Sequence, residues 1–242
     1  MKLITLSSTD STNRYLKDLV HSGALLPNFL TVFTPIQTAG VGQYGAKWQS
    51  APHINLTFST LFTPENLMIE RGFVLNMLVP IAVVKALKTL GIAEEINIKW
   101  PNDIVITRKK IGGILIENII QGQQIIKSVI GIGLNVNQTN FEGLPKASSL
   151  AKITGHTLEV KKVLEEVMRA LEETLLQPMD FEQVYPEYEA LLFGLEKVAT
   201  FRLPEGEIFM GIIKGVAANG RLIIATESGE KAFRLKEVEM LY

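Results

Sequence analysis

The stretch QTAGVGQYGAKW (37–48) carries Gly40, Gly42 and Gly45 in a G-x-G-x-x-G spacing, with Lys47 two residues beyond. It lies between FLTVFTPI (29–36) and INLTFSTLF (54–62), both rich in β-branched and aromatic residues and both read as strands. That context limits the folds open to the chain. A dinucleotide-binding turn needs a helix directly after the glycines, so that its N-terminus faces the pyrophosphate. Here a second strand follows. A P-loop needs Gly-Lys-Ser or Gly-Lys-Thr, whereas Ala46 separates Gly45 from Lys47 and Trp48 stands where the magnesium-binding hydroxyl belongs. Both nucleotide-binding folds drop out, leaving a glycine-rich connection between two strands.

The apolar spacing elsewhere alternates strands with helices. KLITL (2–6) reads as a short strand, and residues 10–23 as a helix with capping residues at its start and Gly23 as its stop. Residues 70–90 form the strongest helical pattern, in which Pro80 predicts a kink or a later start. INIKW (96–100), residues 103–119 and residues 123–136 are three extended segments joined by polar turns, an antiparallel meander. Residues 160–177 and 181–193 read as helices. After Gly194 short strands are separated by PEGE, AANG and ESGE, the turn pattern of a small β barrel. The expected architecture is α+β: a mixed sheet flanked by helices over residues 1–190, then a C-terminal barrel over 191–242.

Composition narrows the chemistry. The chain has 24 basic and 25 acidic residues among 242, so no global charge favours DNA or an anionic membrane. It has no cysteine, which excludes disulfides, thiol catalysis and thiolate metal sites. His21, His53 and His156 lie far apart and form no recognisable metal set. The polar N-terminus does not resemble a signal peptide, and no apolar run is read as reaching the roughly 18 residues of a membrane span. A cytoplasmic protein is expected.

Four further stretches carry candidate chemistry. DSTN (10–13) places hydroxyls and an amide at a helix start, where backbone N–H groups point outward. KWPND (99–103) combines a cation, an indole, a proline, an amide and a carboxylate at a turn. IGGIL (111–115) and GIGLNVN (131–137) put glycines inside strands, where they weaken the sheet unless something must approach closely. Each has an ordinary explanation taken singly: Ser11 and Asn13 as caps, Lys99 as a solvated strand-end charge, the glycines as bulges.

Taken in order, Ser11-Thr12-Asn13, Gln37 to Trp48, Lys99 to Asp103, Lys110 to Glu117 and Gly131 to Asn135 resemble the signature of the biotin protein ligases. That signature reads STN, QTAG-x-G-x-x-G-x-x-W, KWPND, K-(I/L)-x-G-(I/L)-L-x-E and G-(I/A)-G-(I/L)-N. The resemblance covers about residues 1–180, and the terminal strands look like the family's SH3-like domain. The Arg-Arg-x-x-Gly-Gly-Gly signature of the related lipoate ligases is absent.

The resemblance implies a class II synthetase-like catalytic fold and a two-step reaction. Biotin and ATP would give biotinyl-adenylate, and the biotinyl group would pass to a lysine of a biotin carboxyl carrier protein. It makes Lys99 the catalytic cation and assigns biotin to Ser11, Thr12, Asn13, Gln37, Val41, Gly42, Gln43, Lys99, Gly113, Gly131 and Gly133. The three strand glycines would leave a slot for the ureido ring and valeryl chain. ATP and the adenylate fall to Gly40, Lys47, Trp48, Asn102, Asp103, Lys110 and Asn135, with Asn135 on the adenine and Mg2+ carried by the ATP phosphates rather than by side chains. A homodimer is implied. The STN element begins at residue 11, so no N-terminal DNA-binding domain is expected, nor DNA or a membrane as partner. A lipoate or octanoate-type acyl ligase and a non-catalytic biotin binder remain as alternatives.

The glycine loop departs from the family. Its usual form, GRG-x-R-G, has two arginines where this chain has Val41 and Tyr44. Losing both removes charge-assisted contacts of roughly 1.5 to 3 kcal/mol each.

Overall fold

The computed structural model describes residues 2–241. Its larger sheet has eight strands in the order β1 (Lys2–Thr5), β2 (Leu30–Phe33), β5 (Leu56–Phe62), β10 (Gln124–Leu134), β9 (Lys109–Gln121), β8 (Asp103–Ile106), β7 (Ile96–Lys99), with β6 (Leu67–Met68) added to β10. Only β1 and β2 run parallel. The glycine loop forms its own hairpin, β3 (Gly40–Val41) and β4 (Lys47–Trp48), paired Gly40 to Trp48 and Val41 to Lys47. The extended segment expected over 103–119 is in fact two strands. Thr107 and Arg108 take positive φ (47° and 63°) and turn the chain between β8 and β9. Neither residue is a usual choice for such a turn, so the break carries no sequence signal.

Helix α1 (Thr12–His21) starts where the Ser11 hydroxyl accepts a hydrogen bond from the Arg14 N–H, and it stops before Gly23 at φ 78°. It lies on the face of the larger sheet where Leu16 meets Leu30, Val32, Leu61 and Val129. The opposite face carries α2 (Phe73–Thr89), which is apolar around its whole circumference and therefore stable only when surrounded. Pro80 sits inside it. The segment Ile69–Thr89 is long and apolar enough to cross a membrane, contrary to the expectation that no run is. It is instead mostly buried, packed beneath α4 (Val160–Leu175) and α5 (Phe181–Ala190). The short α3 (Leu150–Thr154) is capped by Ser149.

Beyond α5 the chain forms a five-stranded antiparallel sheet in the order β14 (Gly229–Phe233), β13 (Leu222–Thr226), β12 (Ile208–Val216), β11 (Val198–Arg202), β15 (Glu239–Leu241). This is the C-terminal β unit expected from the turn pattern; among the described residues no ladder joins β14 to β15. Its core is continuous with that of the larger sheet: Phe201, Ile213, Val216, Leu222, Ile224 and Val238 belong to the same buried cluster as α2 and β7. Backbone hydrogen bonds from Ile98 N–H to Leu191 O and from Phe193 N–H to Ile98 O tie β7 to the segment entering the second sheet. The Trp100 indole N–H adds a third tie, to Gly220 O at 3.0 Å.

Candidate active site

Strand alternation sends one set of side chains from β5, β10 and β9 toward α2 and the complementary set toward α1. On the α1 side the register aligns Thr57 with Gly133, Gly133 with Gly113, Gly113 with Asp103 and Asp103 with Lys99. One row of neighbours therefore crosses five strands and brings together three motifs that lie far apart in the chain. The next row holds Ser59, Gly131 and Leu115, and the one after it Leu61, Val129 and Glu117.

A cavity of about 400 Å³ opens over these rows. The β3–β4 hairpin covers one side, α1 closes another, and Leu235, Val238 and Met240 of the second sheet form a wall. It is lined by Ser11, Thr12, Asn13, Gln37, Val41, Gly42, Gln43, Lys47, Trp48, Lys99, Asn102, Asp103, Lys110, Gly113, Gly131 and Gly133, residues that the motifs singled out. Two others do not line it. Gly40 sits behind the hairpin, where a methyl group would come within 2.5 Å of both Gln37 Nε2 and Trp48 O. Asn135 is buried past the end of β10, and its amide donates to Ser148 O at 3.0 Å, bracing the connection to α3.

Two of the strand glycines that line the cavity also admit side chains. A methyl group on Gly131 would overlap Asn13 Oδ1, and one on Gly133 would overlap the Trp48 indole. The same indole lies 3.4 Å from the corresponding point on Gly113. Trp48 thus lies over two adjacent strands. Its Nε1 is buried with no hydrogen-bond partner among the described residues, a donor that a bound ligand could satisfy.

Cations gather at the other end. Lys110 Nζ meets Asp103 Oδ1 at 2.7 Å and stands 5.9 Å from the Trp48 ring centroid. Burial pushes the Lys99 ammonium below its ordinary value; Asp103 opposes the shift, while Lys110 and Lys146 add to it. Each of these ammonium groups raises the affinity of the corner for an anion, and together they make a receptor for carboxylate or phosphate. Val41 and Tyr44 carry no charge, yet Lys236 Nζ sits 4.4 Å over the ring of Tyr44, placing a positive charge at the hairpin tip. Among the described residues no group of three or more His, Cys, Asp or Glu could hold a metal.

Sequence reasoning missed several residues. Phe193, Leu235, Lys236, Val238, Glu239 and Met240 line the cavity from the second sheet and the segment leading to it, and no local pattern marks them. Ser59 and Glu117 were within reach: they follow from period-two alternation, since Ser59 faces α1 two residues after Thr57 and Glu117 does so four after Gly113.

Residues 5–135 match the model of the Biotin/lipoate A/B protein ligase family. The chain is 29% identical over 242 residues to the bifunctional ligase/repressor BirA of Bacillus subtilis, covering 97% of this chain and 72% of that one. It is 26% identical over 226 residues to the biotin–acetyl-CoA-carboxylase ligase of Mycobacterium tuberculosis, covering 92% and 83%. The solved structure of biotin protein ligase from Aquifex aeolicus in complex with biotin and ATP superposes with a TM-score of 0.79 at 29% identity, covering 99% of this chain and 98% of the other. With more than half of its length matched, and with a larger sheet whose register joins the signature motifs in one cavity, the chain belongs to the biotin/lipoate A/B protein ligase family.

Proposed function

We propose that the protein is an ATP-dependent biotin protein ligase that forms biotinyl-5′-AMP and transfers the biotinyl group to a lysine of a biotin carboxyl carrier domain. The observation that carries this reading is the single row from Lys99 through Asp103, Gly113 and Gly133 to Thr57, because it sets an anion receptor beside a cavity covered by an indole. The named relatives support the same reading.

The first step joins two anions. A biotin carboxylate oxygen forms a bond to the α-phosphorus of ATP as the bond from that phosphorus to the bridging oxygen breaks, and pyrophosphate leaves. Lys99 offsets the repulsion by holding the carboxylate and then the charge developing on the phosphate, without covalent catalysis. Lys110, oriented by Asp103, holds the phosphates. Trp48 supplies an apolar face and one donor to the adenylate. In the second step the neutral amine of the carrier lysine attacks the acyl carbon, the acyl–phosphate oxygen bond breaks, AMP leaves and the new amide sheds a proton. The side chains here do not suit a protein-held magnesium, since Asp103 is already engaged by Lys110; the ion would enter on the ATP phosphates.

Ser11, Thr12, Asn13 and Gln37 meet the ureido end of biotin. At the hairpin, Lys236 on Tyr44 takes over part of the charge that the family's loop arginines provide. Biotin-dependent release of pyrophosphate from ATP, followed by the mass gain of one biotinyl group on an apo carrier domain, tests the reading. Release that requires lipoate and ignores biotin would overturn it.

A further inference from the structure

Ser11, Thr12, Asn13 and Gln37 can each donate or accept, so the cavity wall alone does not fix which polarity a ligand meets. Glu117, one row away, fixes it. Its carboxylate is gripped at both oxygens by one face of α1: Asn13 Nδ2 donates to Oε2 at 2.9 Å, and one turn on, Lys17 Nζ meets Oε1 at 2.7 Å. Ser59 Oγ lies 2.5 Å from Asn13 Oδ1, and Thr12 Oγ1 lies 2.7 Å from Ser59 Oγ. At the far end the Thr12 backbone N–H donates to Gln37 Oε1 at 3.0 Å.

Both ends of this chain have a polarity that no rotation can reverse. A carboxylate paired with an ammonium only accepts, so the Asn13 nitrogen faces Glu117 and its oxygen faces Ser59. Ser59 has one proton, which goes to Asn13 Oδ1; the Thr12 hydroxyl must therefore donate to Ser59. A backbone N–H only donates, so Gln37 turns its oxygen to Thr12 and its nitrogen toward Gly40, where the missing Cβ leaves space for it.

We infer that Glu117 is a positioning residue for substrate choice: through Asn13 and Ser59 it holds Thr12 Oγ1 as an acceptor, with its only proton turned away from the ligand. Resting on the ligase reading above, this makes the polar end of the cavity a match for a ring that presents N–H donors, as a cyclic urea does. A dithiolane, with no donor, leaves the Thr12 oxygen without a donor for its lone pairs, which costs binding. Glu117 thereby acts on the acid substrate alone and not on ATP.

The test is steady-state pyrophosphate release by full-length Glu117→Leu and Glu117→Gln, with biotin and ATP varied separately and melting temperatures recorded. Glu117→Leu frees the Asn13 amide and is expected to raise the KM for biotin about tenfold, with the KM for ATP and the kcat at saturating biotin near the parent values. Glu117→Gln keeps a carbonyl for Asn13 Nδ2 and is expected to restore most of the affinity. Isothermal titration should show the preference for biotin over lipoate narrowing in Glu117→Leu. A biotin KM within twofold of the parent, or equal losses for biotin and ATP alongside a fallen melting temperature, would overturn the inference. Absence of biotin binding by the unmodified protein would overturn the ligase reading itself, and the inference with it.

Discussion

At the residue scale the decisive group is Lys99. Burial is the largest influence on its ammonium and lowers its pKa from the ordinary 10.5, with Asp103 working against that and Lys110 and Lys146 with it. The protonated form holds the substrate anion. Activity toward biotin therefore falls as pH rises through the depressed value, so kcat/KM against pH should break on the alkaline side below 10.5. The folded state binds this proton less tightly than the unfolded chain, so the charge opposes folding at neutral pH and the opposition fades as pH rises toward the unfolded value. Lys99→Met should accordingly melt no lower than the parent at neutral pH, by calorimetry. Gly133 makes the second residue-scale prediction. A methyl group there displaces the Trp48 indole, and Gly133→Ala should lose on the order of 100-fold in kcat/KM, the scale of a displacement of about 1 Å at a reacting centre. Its far-ultraviolet circular dichroism should match the parent's, because alanine suits a strand better than glycine does.

At the scale of elements the β3–β4 hairpin is the departure from the family pattern that matters. Val41 is 41% exposed and Tyr44 64% exposed, and neither replaces an arginine chemically. The Tyr44 ring instead receives Lys236 from the segment between β14 and β15, which ties the hairpin tip down and brings a cation to it. Lys236→Ala should increase the escape of biotinyl-adenylate into solution several-fold, about the effect expected from losing roughly 1 kcal/mol of cation–π contact. Tyr44→Phe keeps the ring and should leave escape unchanged, both measured by chromatography of the free adenylate. Most elements were legible in the sequence. Capping residues marked α1, a long apolar stretch marked α2, apolar spacing marked α4, and β-branched runs marked β2 and β5. The β8–β9 turn was hidden because Thr107 and Arg108 adopt positive φ without glycine or asparagine. The contacts of Gly131 with Asn13 and of Gly133 with Trp48 join residues more than 80 positions apart, which no local pattern encodes.

At the scale of the whole molecule the two sheets are expected to unfold together. They share a buried cluster, and the Trp100 indole hydrogen-bonds Gly220 O across the junction. Heating should give a single calorimetric transition with matching van't Hoff and calorimetric enthalpies, and two resolved transitions would show that the cores are independent. The second sheet also completes the cavity wall, a role invisible in its sequence because its lining residues, Leu235 to Met240, resemble any short strand and turn. The signature motifs carried the site because each occupies a rung of one sheet row, and only the register shows that the rungs adjoin. The central claim is that this row activates a carboxylic acid through the charge on Lys99. The most direct measurement is biotin-dependent pyrophosphate release from ATP by the parent and by Lys99→Met. The parent should release pyrophosphate, and kcat should fall roughly 100- to 1,000-fold in a variant that stays folded. Turnover by folded Lys99→Met within a few-fold of the parent would contradict the claim.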